Sequence, residues 1–437
     1  MIGCAVFFCA LFAAMAAYLC IYIPSHSEEL FNNSYNSRQS VLAQQNTRGT
    51  IYSADGEVLA ETVNVDGEEV RQYPYENMFS HIVGYSTRGK TGLESLANYD
   101  LINTSVSASE QAQNAAAGVK NPGNNLVTTL DVTLQEAAYN AMGLYEGAIV
   151  VMEPSTGKIL AMVSKPDFDP NEIAQEWESL NQEGSSVLLN RASQGLYPPG
   201  STFKMITALE YIREHPDDWE NYTWQCSGSY THGDTTIRCY HGSSHGSLDF
   251  MHSFAESCNS SFANIGMSLE RSSFLSTLDG LLFNQELPVD ISYSRSSVAL
   301  TEDSGDADMI QTVIGQGKTQ MTPLHLCMIT SAIANDGVLM KPYEMDRIEK
   351  PDGTVLKQYE PEEYGRLMTS EEAEILTKLM TDVVEEGTAT KLSGLSYTAA
   401  GKTGSAEYSD STSDSHAWFT GFAPAENPQI AVTVIIE

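Results

Sequence analysis

Two pairs of apolar strand patterns stand at opposite ends of one long segment, and they constrain the fold more than any other feature. Ala148–Met152 and Ile159–Val163 flank a tight turn at Glu153-Pro154-Ser155-Thr156-Gly157; far downstream come Ala417–Phe422 and Gln429–Ile436. Short apolar runs bounded by turn residues read as strands. The stretch between them, 200–390, alternates helical segments and loops. Strands at both ends with helices between predict an α+β domain: one antiparallel sheet assembled from the two ends, with helices on both faces. No internal repeat interrupts that pattern.

A chain of 437 residues is too long for one ordinary core. Residues 1–23 read as a transmembrane anchor, because no charged side chain falls between Ile2 and Ile23 and the helix would be about 33 Å long. Ala14-Met15-Ala16 offers a signal-peptidase pattern, but the apolar run continues through Leu19, Ile21 and Ile23, which favours an uncleaved anchor. The first basic residue is Arg38, so no positive flank fixes orientation. The formal charge of −34, from 23 basic and 57 acidic residues, excludes nucleic acid as a natural partner and disfavours an anionic lipid surface.

Residues 24–125 read as a small N-terminal unit with its linker, and 126–437 as the larger domain. Residues 24–47 are polar, as in a juxtamembrane stalk. Thr50–Tyr52 and Val58–Ala60 around Asp55-Gly56 predict a hairpin, while 104–125, rich in Ser, Ala, Gln, Asn and Gly, suits a linker or surface loop. Asp131 is placed to cap a helix through Ala141. Of seven cysteines, three lie in the apolar helix. Cys226 and Cys239 flank a loop rich in Gly, Ser, Thr and His, where an exported domain permits a disulfide. Zinc is the weaker alternative there, with His232, His241 and His245 nearby, because no Cys-x-x-Cys pair is present.

Three motifs then occur in order: Ser201-Thr202-Phe203-Lys204, Ser257-Cys258-Asn259 and Lys402-Thr403-Gly404. Each is weak alone. Ser155-Thr156-Gly157-Lys158, Lys90-Thr91-Gly92, Ser34-Tyr35-Asn36 and Ser179-Leu180-Asn181 match the same patterns by chance. Context separates them. Pro198-Pro199-Gly200 ends any earlier element, so Ser201 falls at a helix start with Lys204 on the same face. A lysine withdrawn from water is a usable base. Ser257 and Asn259 sit between two helical segments, and Lys402 opens an edge strand on which Gly404 lets a substrate approach the backbone. The ordinary alternatives are capping residues and a surface lysine; the order of the three motifs argues against them.

In that order the motifs, with their surroundings, resemble the class B penicillin-binding proteins. The surroundings are Gly147–Met162, Asn190-Arg191-Ala192, Tyr197–Ser201, Gly315-Gln316-Gly317, Met321–Leu324 and Gly387-Thr388-Ala389, with Arg48–Ile51 and Gly92-Leu93-Glu94 upstream. The resemblance implies a penicillin-binding, serine β-lactamase-like transpeptidase fold on a small pedestal, of the compact Gram-positive type. It implies a membrane peptidoglycan transpeptidase of cell-wall and cell-shape biosynthesis that cross-links stem peptides at D-Ala-D-Ala and is acylated by β-lactams. Ser201 would be the nucleophile, Lys204 its base, and Ser257 a proton relay. Asn259 would hold the substrate amide, and Lys402 and Thr403 the terminal carboxylate. Gly404 lines the site, and the N–H groups of Ser201 and Ser405 would form the oxyanion hole. No metal or organic cofactor is expected. A membrane glycosyltransferase of the SEDS type is the expected partner, with the catalytic domain on the extracellular face. A D,D-carboxypeptidase, a β-lactamase of the same fold, and a non-catalytic scaffold or β-lactam sensor are the alternatives. The family's last strand is followed by a helix, so the natural chain is expected to extend beyond Glu437.

Overall fold

The computed structural model describes residues 2–25, 38–407 and 415–437. The central sheet has five strands: β1 (Gly147–Met152), β2 (Ile159–Lys165), β3 (Ala400–Glu407), β4 (Ser415–Ala423) and β5 (Ile430–Ile436), in the order β3-β4-β5-β1-β2 and antiparallel throughout. The two ends of the long segment thus pair along the β5–β1 seam, with Val432 opposite Val151. β1 is buried on both faces, and its alternate residues explain why. Ala148, Val150 and Met152 enter the main core, whereas Ile149 and Val151 join a second core beneath the helix α1 (Val132–Met142).

Asp131 caps α1 by accepting a hydrogen bond from the Leu134 amide at 2.8 Å. On the opposite face lie α2 (Lys204–Glu214), α3 (Phe250–Ala255), α4 (Asn259–Ser268), α5 (Pro323–Ala334) and α6 (Ser370–Glu385). α5 is apolar all round and packs against β1, β4 and β5, as a central helix must. Thr322 caps it and Pro323 occupies its first turn. α6 starts at a capping box formed by Thr369 and Glu372.

The N-terminal unit borrows strands from the larger one. Its six-stranded sheet runs 355–358, 345–349, 125–128, 51–52, 58–65, 68–72 in spatial order, so a hairpin from far downstream in the chain completes it. The hairpin around Asp55-Gly56 is present, with Ile51 paired to Ala60. At its centre Glu94 is fully buried between Arg48 (2.5 Å) and Arg71 (2.7 Å). Burial acts to raise the Glu94 carboxyl, but the two guanidiniums outweigh it and hold it below the usual carboxylate range.

One expectation fails over 104–125. Ala108–Ala117 is an exposed helix, capped by Ser107 at its start and closed by Gly118 in the left-handed region. The Ala-rich composition that resembled a linker has the highest intrinsic helix propensity. The N-terminal helix spans Ile2–Ser25, of which Ile2–Tyr22 is long and apolar enough to cross a membrane. Half of the expected stalk, 26–37, lies outside the described residues; Arg38–Gln45 of the remainder is a helix.

Candidate active site

Ser201 sits in the 3-10 turn Gly200–Phe203 rather than in the α-helix, which starts at Lys204. With about three residues per turn, positions i and i+3 eclipse. Lys204 Nζ therefore stands 3.0 Å from Ser201 Oγ. Gly200 adopts φ +54°, and a Cβ there would lie 2.5 Å from the Ser405 carbonyl oxygen. Only glycine lets the Ser201 turn pack this closely on β3.

Between α3 and α4 the chain turns through Ser257 at φ +53°. For a residue with a side chain this left-handed conformation costs about 1–2 kcal/mol, and such strain gathers at functional sites. It brings both oxygens of Ser257 to Lys204: the carbonyl at 2.6 Å and Oγ at 3.2 Å. Asn259, the first residue of α4, places Oδ1 2.6 Å from the same Nζ. From the edge strand β3, Lys402 Nζ donates to Ser257 Oγ at 2.9 Å and to the Thr403 carbonyl at 3.1 Å. The hydroxyls of Thr403 and Thr388 lie 2.6 Å apart. Gly404 packs against Thr202 and Pro199 beside Ser201, and Ser405 is the exposed residue beyond it. All three motifs thus line one cleft.

Lys204 and Lys402 are fully buried and face the rings of Phe262 and Phe254, with centroids 5.5 and 5.6 Å away. Burial pulls Lys204 down to about 7. Burial, and then the charge of Lys204, hold Lys402 well below an ordinary lysine. Four oxygens surround Lys204 Nζ, and hydrogen bonds to them act the other way, toward the ammonium, but burial outweighs them. Neutral Lys204 gives its two N–H bonds to the two nearest acceptors, the Ser257 carbonyl and Asn259 Oδ1, and turns its lone pair to the Ser201 hydroxyl. A general base within hydrogen-bond reach of a nucleophile needs that arrangement.

The chance matches lie elsewhere. Ser155–Lys158 form the β1–β2 turn, and Lys158 pairs with Asp346 at 3.6 Å. Thr91 and Gly92 open a short helix of the N-terminal unit, and Ser179 lies on the helix Ile173–Leu180. Ser34-Tyr35-Asn36 lies outside the described residues. Motif matching did not reveal the Thr388 hydroxyl as a partner of Thr403, since the signal there was only a Gly-Thr-Ala segment. It also missed Cys258 as a chemical group, because that residue was read only as the spacer of its motif. Cys226 and Cys239 are free thiols 3.7 Å apart, with His245 and Cys258 beside them. Of the other two histidines considered, His232 faces Asp306 at 3.1 Å.

Residues 147–437 match the family described as the penicillin binding protein transpeptidase domain, and 48–126 match the penicillin binding protein A dimerisation domain. The chain belongs to the penicillin-binding protein transpeptidase family, among the class B, serine-type peptidoglycan D,D-transpeptidases. It is 31% identical over 427 residues to the peptidoglycan D,D-transpeptidase PbpA of Mycolicibacterium smegmatis, covering 92% of this chain and 86% of that protein. The imipenem acyl-enzyme of penicillin-binding protein A from M. tuberculosis superposes with a TM-score of 0.81 at 29% identity, over 90% of this chain and 93% of the other. The D,D-transpeptidase domain of an Eggerthella lenta peptidoglycan glycosyltransferase gives 0.81 at 30% identity, over 90% and 94%.

Proposed function

We propose that this chain cross-links peptidoglycan stem peptides from the outer face of the membrane, with Ser201 as nucleophile and Lys204 as its base. Ser201 Oγ attacks the penultimate D-Ala carbonyl, and its proton passes to Lys204 Nζ. The oxyanion is held by the backbone N–H groups of Ser201 and Ser405. The substrate amide lies against Asn259. The terminal carboxylate lies against Lys402 and the Thr403 hydroxyl, which Thr388 orients. The C–N bond breaks as a proton moves from Lys204 through Ser257 to the leaving amine of the terminal D-Ala. An acceptor amine from a neighbouring stem then attacks the acyl carbon, gives its proton to Lys204, and releases Ser201. A β-lactam enters the first half of this sequence and stays attached.

One observation carries the reading: a single buried amine, Lys204 Nζ, touches Ser201, Ser257 and Asn259, while Lys402 reaches the same Ser257 hydroxyl. Among the described residues one helix, Ile2–Tyr22, is long and apolar enough to cross a membrane, which supports a single-pass anchor. The N-terminal unit is the surface where we place a SEDS-type glycosyltransferase that makes the glycan. Labelling the detergent-solubilised chain with a fluorescent penicillin tests the assignment. Wild type labels and Ser201→Ala does not; equal labelling of both would sink it. With polymerised glycan carrying free stems, cross-linked product identifies amine as the acceptor, whereas trimmed stems alone identify water and a carboxypeptidase.

A further inference from the structure

We infer a tetrahedral zinc site formed by Cys226, Cys239, His245 and Cys258, which fixes the Ser257–Asn259 segment in its active position. The four ligand atoms lie within 4.8 Å of one another, and the three sulfurs are buried. Cys226 and Cys239 Sγ are 3.7 Å apart, as are those of Cys239 and Cys258, while His245 Nδ1 is 3.3 Å from Cys226 Sγ. For zinc–sulfur and zinc–nitrogen bonds of about 2.3 and 2.0 Å, a tetrahedron has edges of about 3.8 Å between sulfurs and about 3.5 Å from sulfur to nitrogen. The donors therefore already stand close to coordination distances. Three thiolates and one imidazole in this arrangement select zinc among the common divalent ions. Binding one Zn²⁺ releases the three thiol protons and leaves the site with one net negative charge.

The surroundings suit thiolates. The Gly228 amide and the Ser260 hydroxyl donate to Cys226 Sγ at 3.4 and 3.2 Å, and the Ser261 amide to Cys258 Sγ at 3.5 Å. The local need is plain as well. Cys226, Cys239, Cys258 and Leu248, with Trp224 packed against them, form a small apolar cluster of their own at the strand pairs Thr223–Cys226/Gly246–Asp249 and Ser229–His232/Thr235–Arg238, apart from Ile237, which reaches the main core. So small a core gains from a metal staple.

Its reach into the site is short. Cys258 separates Ser257 from Asn259 and caps α4 through the Ser261 amide. Arg238, next to Cys239, accepts a hydrogen bond from Asn259 Nδ2 at 3.0 Å. The metal would therefore hold Asn259 from two sides, with Oδ1 left for Lys204. This positioning role rests on the acyl-transfer reading above; the metal site itself does not.

The tag-free full chain in detergent is assayed for zinc, stripped with a chelator, and refilled with Zn²⁺ or Co²⁺. The expected outcome is about one zinc per chain and, with Co²⁺, the thiolate charge-transfer and visible bands of a tetrahedral site. Stripping lowers the rate of fluorescent-penicillin acylation about 10- to 100-fold, restored by Zn²⁺, the usual scale for groups that orient a site at one remove. His245→Cys, which keeps four soft ligands, retains the metal, and Cys226→Ser weakens it. A metal-free chain with Cys226 and Cys239 joined as a disulfide overturns the site. Zinc bound at the four residues but removable without change in acylation overturns the positioning role. A zinc-loaded chain that never labels at Ser201 overturns the acyl-transfer reading instead.

Discussion

At the residue scale, the proposed mechanism turns on a buried amine whose charged form is disfavoured. Lys204 is fully buried, faces Phe262, and receives no carboxylate among the partners that hold its Nζ. Lys204→Ala should lower the rate of penicillin acylation by about 10²–10⁴-fold, the ordinary contribution of a general base. Lys204→Arg should not rescue it, because a guanidinium stays protonated. The pH profile follows from the lowered value of about 7. The neutral form is the active one, so the acylation rate should rise with pH to a plateau above that value. Below it the rate should fall about tenfold per unit as Lys204 takes up a proton. Stopped-flow acylation across pH 5–9 checks this; a rate independent of pH through that range would remove Lys204 as the base. Lys402→Ala should leave the Ser201–Lys204 pair in place and still cut acylation, because the Ser257 hydroxyl loses the donor that holds it at 2.9 Å.

At the scale of elements, two short pieces of irregular backbone do more than the regular ones. The 3-10 turn Gly200–Phe203 eclipses Ser201 with Lys204, and the left-handed Ser257 turns its carbonyl onto the same amine. Gly200→Ala forces a Cβ toward the Ser405 carbonyl at 2.5 Å from a conformation that alanine disfavours. Acylation should be largely lost in that variant while its circular dichroism spectrum stays that of wild type; normal labelling would show that β3 can yield. The motifs announced themselves through residue types, but these conformations did not, because neither a 3-10 turn nor a positive φ at serine leaves a compositional mark. The helix Ala108–Ala117 shows the converse. Its local signals, an N-cap serine and a C-terminal glycine, were present in a segment whose composition resembled a linker.

At the scale of the whole molecule, the N-terminal unit is held together internally by buried charge. Glu94 bridges Arg48 and Arg71 with none of its side chain exposed. It brings together the Arg48–Ile51 and Gly92–Glu94 segments that the sequence offered separately. Glu94→Ala would leave two guanidiniums buried without their anion, a loss of about 3–5 kcal/mol by the usual cost of breaking a buried pair, read as a lower denaturant midpoint. Because the folded carboxyl is held below its ordinary range, its contribution is present above the unfolded pKa and lost as pH falls through the folded one. Contacts such as Asn77 to Asp167 at 2.9 Å and the Tyr73 amide to Asn171 at 2.9 Å join this unit to the loops that follow β2.

The residue pattern alone determined the central sheet, the apolar N-terminal helix and the three motifs, since apolar runs, turn residues and reactive side chains are local properties of the chain. Context in the sequence already favoured one Ser-x-x-K and one Lys-Thr-Gly over the chance matches, but only the folded structure decided the distances at which they meet. It also decided that the hairpin at 345–358 completes a distant sheet, and that Cys258 joins Cys226, Cys239 and His245. Each of these depends on long-range packing and on the solvent it excludes. Burial is what lowers the Lys204 amine, and no stretch of sequence specifies burial by itself.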